Sequence, residues 1–162
     1  MMPWGLFGVA LIVALVLQTS VLPFSGLREV DLLLVLALVC GLVAPTIDAR
    51  LAGCLVGFAQ DIDTAGPLGW HALLLGLTAT LLTVLRDWVN LHLWWARWLI
   101  AFTAALPGQI VVEVHLRFGR GEYLRGVWGA VATATVAALL AALLTGLPAW
   151  LRRRQQRRRT AF

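Results

Sequence analysis

Few residues in this chain could do chemistry, and Asp61 stands first among them. It ends a line of small residues, Ala49, Gly53 and Gly57, spaced by four and so sharing one face of a helix. A carboxylate at the end of such a smooth apolar stripe needs a partner or water, because an unpaired one is costly there. Three roles are open to it. It can accept backbone N–H bonds from the following loop or from the start of the next helix. It can contact a partner protein, or it can serve as a proton or ion site. The first reading is preferred, and the last is weakest because no other acid lies at comparable depth nearby in the sequence. A second polar group consists of Gln109 and Glu113, four apart on one face, with His115 and Arg117. A helix end reaching an aqueous interface, with Glu113 paired to an arginine, accounts for that group without chemistry.

No further arrangement calls for an enzyme. There is no Ser–His–Asp order with a glycine elbow, no metal-spaced Cys/His cluster, no P-loop and no pair of acids flanking a cleft. His71, His92 and His115 fall in different helix-end contexts, and His71 reads as a helix-interface residue. Cys40 and Cys54 both lie in apolar segments and read as small buried hydrophobes rather than a disulfide. Trp88, Trp94, Trp95 and Trp98 alternate with His92 and Arg97. Tryptophans with basic residues at a helix end mark a membrane–water interface, which outweighs a nucleic-acid reading. No catalytic residue, cofactor or metal site is expected.

The elements that must position these residues follow from composition. Of 162 residues, 60% are hydrophobic and 13% charged, and mean hydropathy is +0.86. Soluble domains run at about 45–50% apolar and about 25% charged, so an all-α integral membrane protein is expected. Six apolar segments are legible: Leu6 to Leu22, Leu32 to Ala44, Ala49 to Ile62, Leu68 to Leu85, Leu93 to Leu116 and Leu124 to Leu147. The second and third are short for a span of about 20 residues, which suggests tilted or incompletely spanning helices. Gln18, near the end of the first, reads as a helix–helix hydrogen bond. Pro45-Thr46-Ile47-Asp48 reads as a turn with Asp48 capping the third segment, and Arg86 to Asn90 as a polar turn. Pro107-Gly108 predicts a kink or break in the fifth. Met1-Met2-Pro3-Trp4 lacks the basic n-region of a signal peptide, so the first segment is expected to stay in the membrane.

Two features concern partners. Gly126, Ala130, Ala134, Ala138, Ala142 and Gly146 recur every four residues along the sixth segment, and with Gly53 and Gly57 they supply faces for close helix contact. Such a ladder can pack inside the bundle, against a second copy in a homodimer, or against a partner's helix. Arg152, Arg153, Arg154, Arg157, Arg158 and Arg159 form a basic tail after residue 150. The chain thus divides into a bundle, residues 1–150, and a tail, residues 151–162. With cytoplasmic termini, that side holds Arg50, Arg86, Arg97 and the tail, against Arg28, Arg117, Arg120 and Arg125 opposite. The positive-inside rule selects this orientation, with the tail as a topogenic and lipid-contacting element.

The segment from Ala49 to Arg86 resembles the bacterial rod shape-determining protein MreD family. The matching residues are Gly57, Asp61, Pro67 and Gly69, a glycine, an aspartate four later, and a Pro-x-Gly before the next helix. Asp31-Leu32-Leu33-Leu34 is similar to the family's Asp-Leu-rich start of its second helix, with Val30 where a proline is common. The resemblance implies a six-helix transmembrane bundle similar to the substrate-binding components of energy-coupling-factor vitamin transporters. It implies a non-enzymatic inner-membrane scaffold of the cell-elongation machinery, binding the bitopic protein MreC. Further partners would be the cytoskeletal MreB, RodA, penicillin-binding protein 2 and membrane lipids, with no nucleic acid. The competing expectation is a vitamin- or precursor-binding transporter component, with a cavity built from His71, Gln109 and Glu113.

Overall fold

The computed structural model describes residues 2–21, 30–64, 68–89, 91, 93–117 and 123–159. Among these residues the chain is all-helical, with six helices and no strand. They are α1 (Trp4–Val16, continued by a π-helical turn Leu17–Val21), α2 (Leu32–Val43), α3 (Thr46–Asp63), α4 (Trp70–Trp88), α5 (Trp94–Arg117) and α6 (Tyr123–Arg159).

Several boundaries depart from the expected ones for local reasons. Pro45 stands immediately before α3 with φ −54°, a value suited to a helix start, so Thr46, Ile47 and Asp48 form its first turn rather than a loop. Asp48 therefore does not cap α3; its carboxylate accepts the Met2 backbone N–H at 2.9 Å. α4 carries on through Arg86 and Asp87 to Trp88, where a polar turn was expected. α5 runs unbroken through Pro107. α6 continues past residue 150 to Arg159, so the division expected there is no interruption of the helix.

The helices pack as two antiparallel pairs, α3 with α4 and α5 with α6, with α2 in contact with both. α2 is apolar all round and enclosed on most of its circumference. Leu33, Leu34, Val35, Ala37, Leu38, Cys40, Gly41 and Leu42 are buried, while Leu36 and Val39 are half-buried and Val43 is exposed on the remaining face. Its 12 residues rise only about 18 Å, short of a bilayer core of about 30 Å. α1 touches mainly α2 and buries a single side chain, Phe7.

Small residues set the helix spacings. A Cβ on Gly53 would stand 2.6 Å from the Ala79 Cβ, and one on Gly57 would collide with the His71 carbonyl and the Ala72 backbone. The stripe Ala49–Gly53–Gly57–Asp61 is thus filled by α4. Ala130, Ala134, Ala138 and Ala142 are all buried, as are Ala137 and Ala141, in the core that holds Ala101, Ala104 and Ala105 of α5. The Ala130–Ala142 part of the α6 ladder therefore packs inside the bundle, whereas a Cβ on Gly146 would meet nothing within 4 Å. Gly126 lies outside the residues whose surroundings are described. Among the described residues, two helices are long and apolar enough to cross a membrane, over Trp94–His115 and Val127–Gly146; α1 and α2 are apolar but shorter.

Candidate functional site

Hydrogen-bonded charged side chains gather at two ends of the bundle, and their first task is visible in the backbone they meet. α4 begins at Gly69, which holds φ +92° and has no side chain with which to cap the helix. The N–H groups of the first turn of a helix have no intrahelical partner. Asp61, at the end of α3, supplies the missing acceptor across the loop. Its Oδ2 accepts from the Gly69 N–H at 2.9 Å and the Ala72 N–H at 3.1 Å. Its Oδ1 accepts from the His71 N–H at 2.8 Å and contacts the His71 Nδ1 at 2.9 Å. The carboxylate is 3% exposed. It sits where the partial positive charge of the helix start favours an anion.

Gly57 is part of the same device. One turn before Asp61, its lack of a side chain lets the start of α4 press against α3, which brings the next residue on that face to the N–H groups. Gly69 turns the chain left-handed so that its own N–H joins them. Of the four residues that carry the family resemblance, Gly57, Asp61 and Gly69 form one structural unit, and Pro67 lies outside the described residues. A carboxylate only accepts, so the His71 ring nitrogen facing it carries the proton, which leaves Nε2 as the ring's second polar atom.

Around this cap the same end of the molecule holds a second layer. Asp31 caps α2 through the Leu34 N–H at 2.9 Å, and its other oxygen accepts from Gln60 Nε2 at 3.0 Å. Gln18 accepts the Leu33 N–H at 3.1 Å, so it serves a helix start as well as bridging two helices. Gln109 and His115, expected to group with Glu113 and Arg117, lie in different surroundings. Gln109 borders a small cavity with Gln60, His71 and Thr78. His115 is exposed and stacks obliquely on Trp70 with ring centres 5.1 Å apart. The Arg117 side chain lies outside the described residues.

Compared with family models, with curated proteins and with solved structures, the chain matches none.

The opposite end is arginine-based. Arg86 Nη1 donates to the carbonyls of Ala44 at 2.6 Å and Gly41 at 3.1 Å, which neutralises the end of α2. Arg97 donates from Nε to Leu91 at 2.7 Å and from Nη1 to the Thr145 carbonyl at 2.6 Å. Each holds together segments more than 40 residues apart in the chain. Trp88, Trp94 and Trp95 are exposed, while Trp98 stacks on Phe102 against the core and does not join the aromatic belt. Cys54 is exposed, in contrast to buried Cys40, although its Sγ lies against Gly76 of α4. The six tail arginines have their backbone in α6, and their side chains lie outside the described residues.

Residue types alone did not single out Gln60 or Thr78. Gln60 adjoins Asp61 but points to a different neighbour, and only the packing of α3 against α2 reveals it.

Proposed function

We propose that the chain is a non-enzymatic scaffold of the bacterial inner membrane, an MreD-type component of the cell-elongation machinery that holds MreC by its single transmembrane helix. The observation that carries this reading is the division of labour among side chains. Asp31, Asp61 and Arg86 serve helix ends inside the bundle, while Leu6, Val9, Ile12, Leu73, Leu77, Leu99 and Leu139 face outward. Such a molecule is solvated by lipid and offers helix faces rather than reactive groups. In this reading the six helices form a bundle in the membrane with both termini cytoplasmic. The short α2 is sheltered by its neighbours.

The partner's helix would sit away from the α6 ladder. Outward surfaces open to it include the face of α1 bearing Leu6, Val9 and Ile12, the face of α3 bearing Leu51, Leu55, Phe58 and Ile62, and the groove of about 90 Å³ between α4 and α5 lined by Leu77, Leu81, Pro107 and Val111. Photo-crosslinking groups placed at Val9 and at Leu77 test the proposal in membranes. Capture of a single-span shape protein from either position supports it. If neither position captures one, and detergent-solubilised chain co-purifies with no such protein, the scaffold reading is lost.

The carrier alternative gains no support from the cavity expected for it beside His71 and Gln109. The space between His71 and Gln109 is about 10 Å³, whereas small-molecule sites run to about 300–1,000 Å³. A larger hollow of about 310 Å³ lies at the opposite end, lined by Leu42, Val43, Leu91, Arg97 and Thr145. There Arg97 already donates to backbone carbonyls.

A further inference from the structure

Beside the Asp61 cap, α3, α4 and α5 enclose the cavity of about 10 Å³ bordered by Gln60, His71, Thr78, Gly108 and Gln109. That is about the space one water molecule requires. Its wall carries polar groups that the protein does not satisfy. Gln60 is oriented by donating Nε2 to Asp31, and this leaves its Oε1 buried with no donor. Thr78 is 4% exposed, yet its hydroxyl bonds to no described residue. Its neighbours Thr80 and Thr83 behave differently and bond to carbonyls of their own helix at 2.8 and 2.7 Å. His71 gives its Nδ1 proton to Asp61 and keeps Nε2 unengaged. In an apolar surround the buried Gln60 Oε1 would bear its full desolvation penalty.

We propose that this cavity is a built hydration site for one buried water, which donates to Gln60 Oε1 and His71 Nε2 and accepts from the Thr78 hydroxyl. Three hydrogen bonds are typical of such a molecule. The site lies where the two helix pairs meet. Gly108 of α5 comes so close to α4 that a Cβ there would stand 3.1 Å from Thr78 Oγ1. The water ties the α3–α4 cap to this contact, so it acts as a polar pin between the pairs.

The test uses the full chain in lipid bilayers, with His92→Gln and His115→Gln substitutions so that His71 is the single labelled imidazole. Water-edited solid-state NMR of the ¹⁵N-histidine signal should show magnetisation transfer from a tightly held water. Thr78→Val, which keeps the side chain's shape, should reduce that transfer several-fold and lower Tm. Gly108→Ala, which crowds the same space, should reduce it as well. The proposal is overturned if His71 receives no more transfer than in the Thr78→Val chain. It is equally overturned if Thr78→Val raises Tm, the result expected when a dry, unpartnered hydroxyl is removed.

Discussion

Asp61 is a helix cap delivered from a neighbouring helix. An ordinary cap residue serves its own helix; here Gly69 occupies that position without a side chain, and the carboxylate arrives from eight residues upstream. The arrangement makes a quantitative demand. Asp61→Ala leaves the His71 and Ala72 N–H groups without their acceptor, and hydrogen bonds to charged groups contribute about 1.5–3 kcal/mol each. Thermal unfolding in detergent should therefore register a loss of roughly 3 kcal/mol or more. Asp61→Asn keeps one acceptor oxygen and should fall between the two; an Asn variant as stable as the parent would show that charge plays no part. Gly57→Ala forces a methyl into the His71 carbonyl and should cost about 1–3 kcal/mol by the same assay. Arg86→Met tests the other end. It strips two carbonyls at the end of α2 of their charged donor, and a loss of about 1–3 kcal/mol is expected, with Lys a partial replacement.

At the scale of elements, the alanine ladder of α6 changes meaning once its neighbours are known. A run of small residues every four positions says only that something approaches closely. The approaching surfaces turn out to be parts of the same chain, so substitutions there act on folding and not on assembly. Ala134→Leu or Ala138→Leu should destabilise the bundle by about 1–3 kcal/mol or more through overpacking, and the double variant should aggregate on size exclusion. Leu139→Ala and Leu143→Ala, on the outward side of the same helix, should stay within about 0.5 kcal/mol of the parent. If the core alanines tolerated leucine as well as these positions do, α6 would not be packed as described. α2 offers the complementary case. Its continuous apolar run was legible, but its central place was not, because the run alone does not distinguish burial in protein from burial in lipid.

For the molecule as a whole, the two ends differ in chemistry. Asp31, Gln60, Asp61 and His71 occupy one end, and Arg86 and Arg97 the other, with the tail arginines continuing from the helix that Arg97 holds. The proposed topology makes the arginine end cytoplasmic. A cysteine at Asp63, which is exposed, should then react with a membrane-impermeant thiol reagent in intact spheroplasts. A cysteine at position 159 should react only after permeabilisation. Reversal of this pattern would reverse the orientation, and equal reactivity would remove the membrane reading.

Amino-acid order by itself determined the helical class, the apolar character, the six segments and the small-residue faces. All of these follow from local composition and from a period of 3.6 residues. It also marked Gly57 and Asp61, since a stripe of small residues there runs into a carboxylate. Only the tertiary structure decided what met them. Whether the α6 ladder faces a partner or Ala101 and Ala104, whether Arg86 is a free charge or the cap of α2, and whether Gln60 joins Asp31 or faces lipid all depend on contacts tens of residues apart. Such contacts are set by which faces interlock, and periodicity in one helix carries no record of its neighbour.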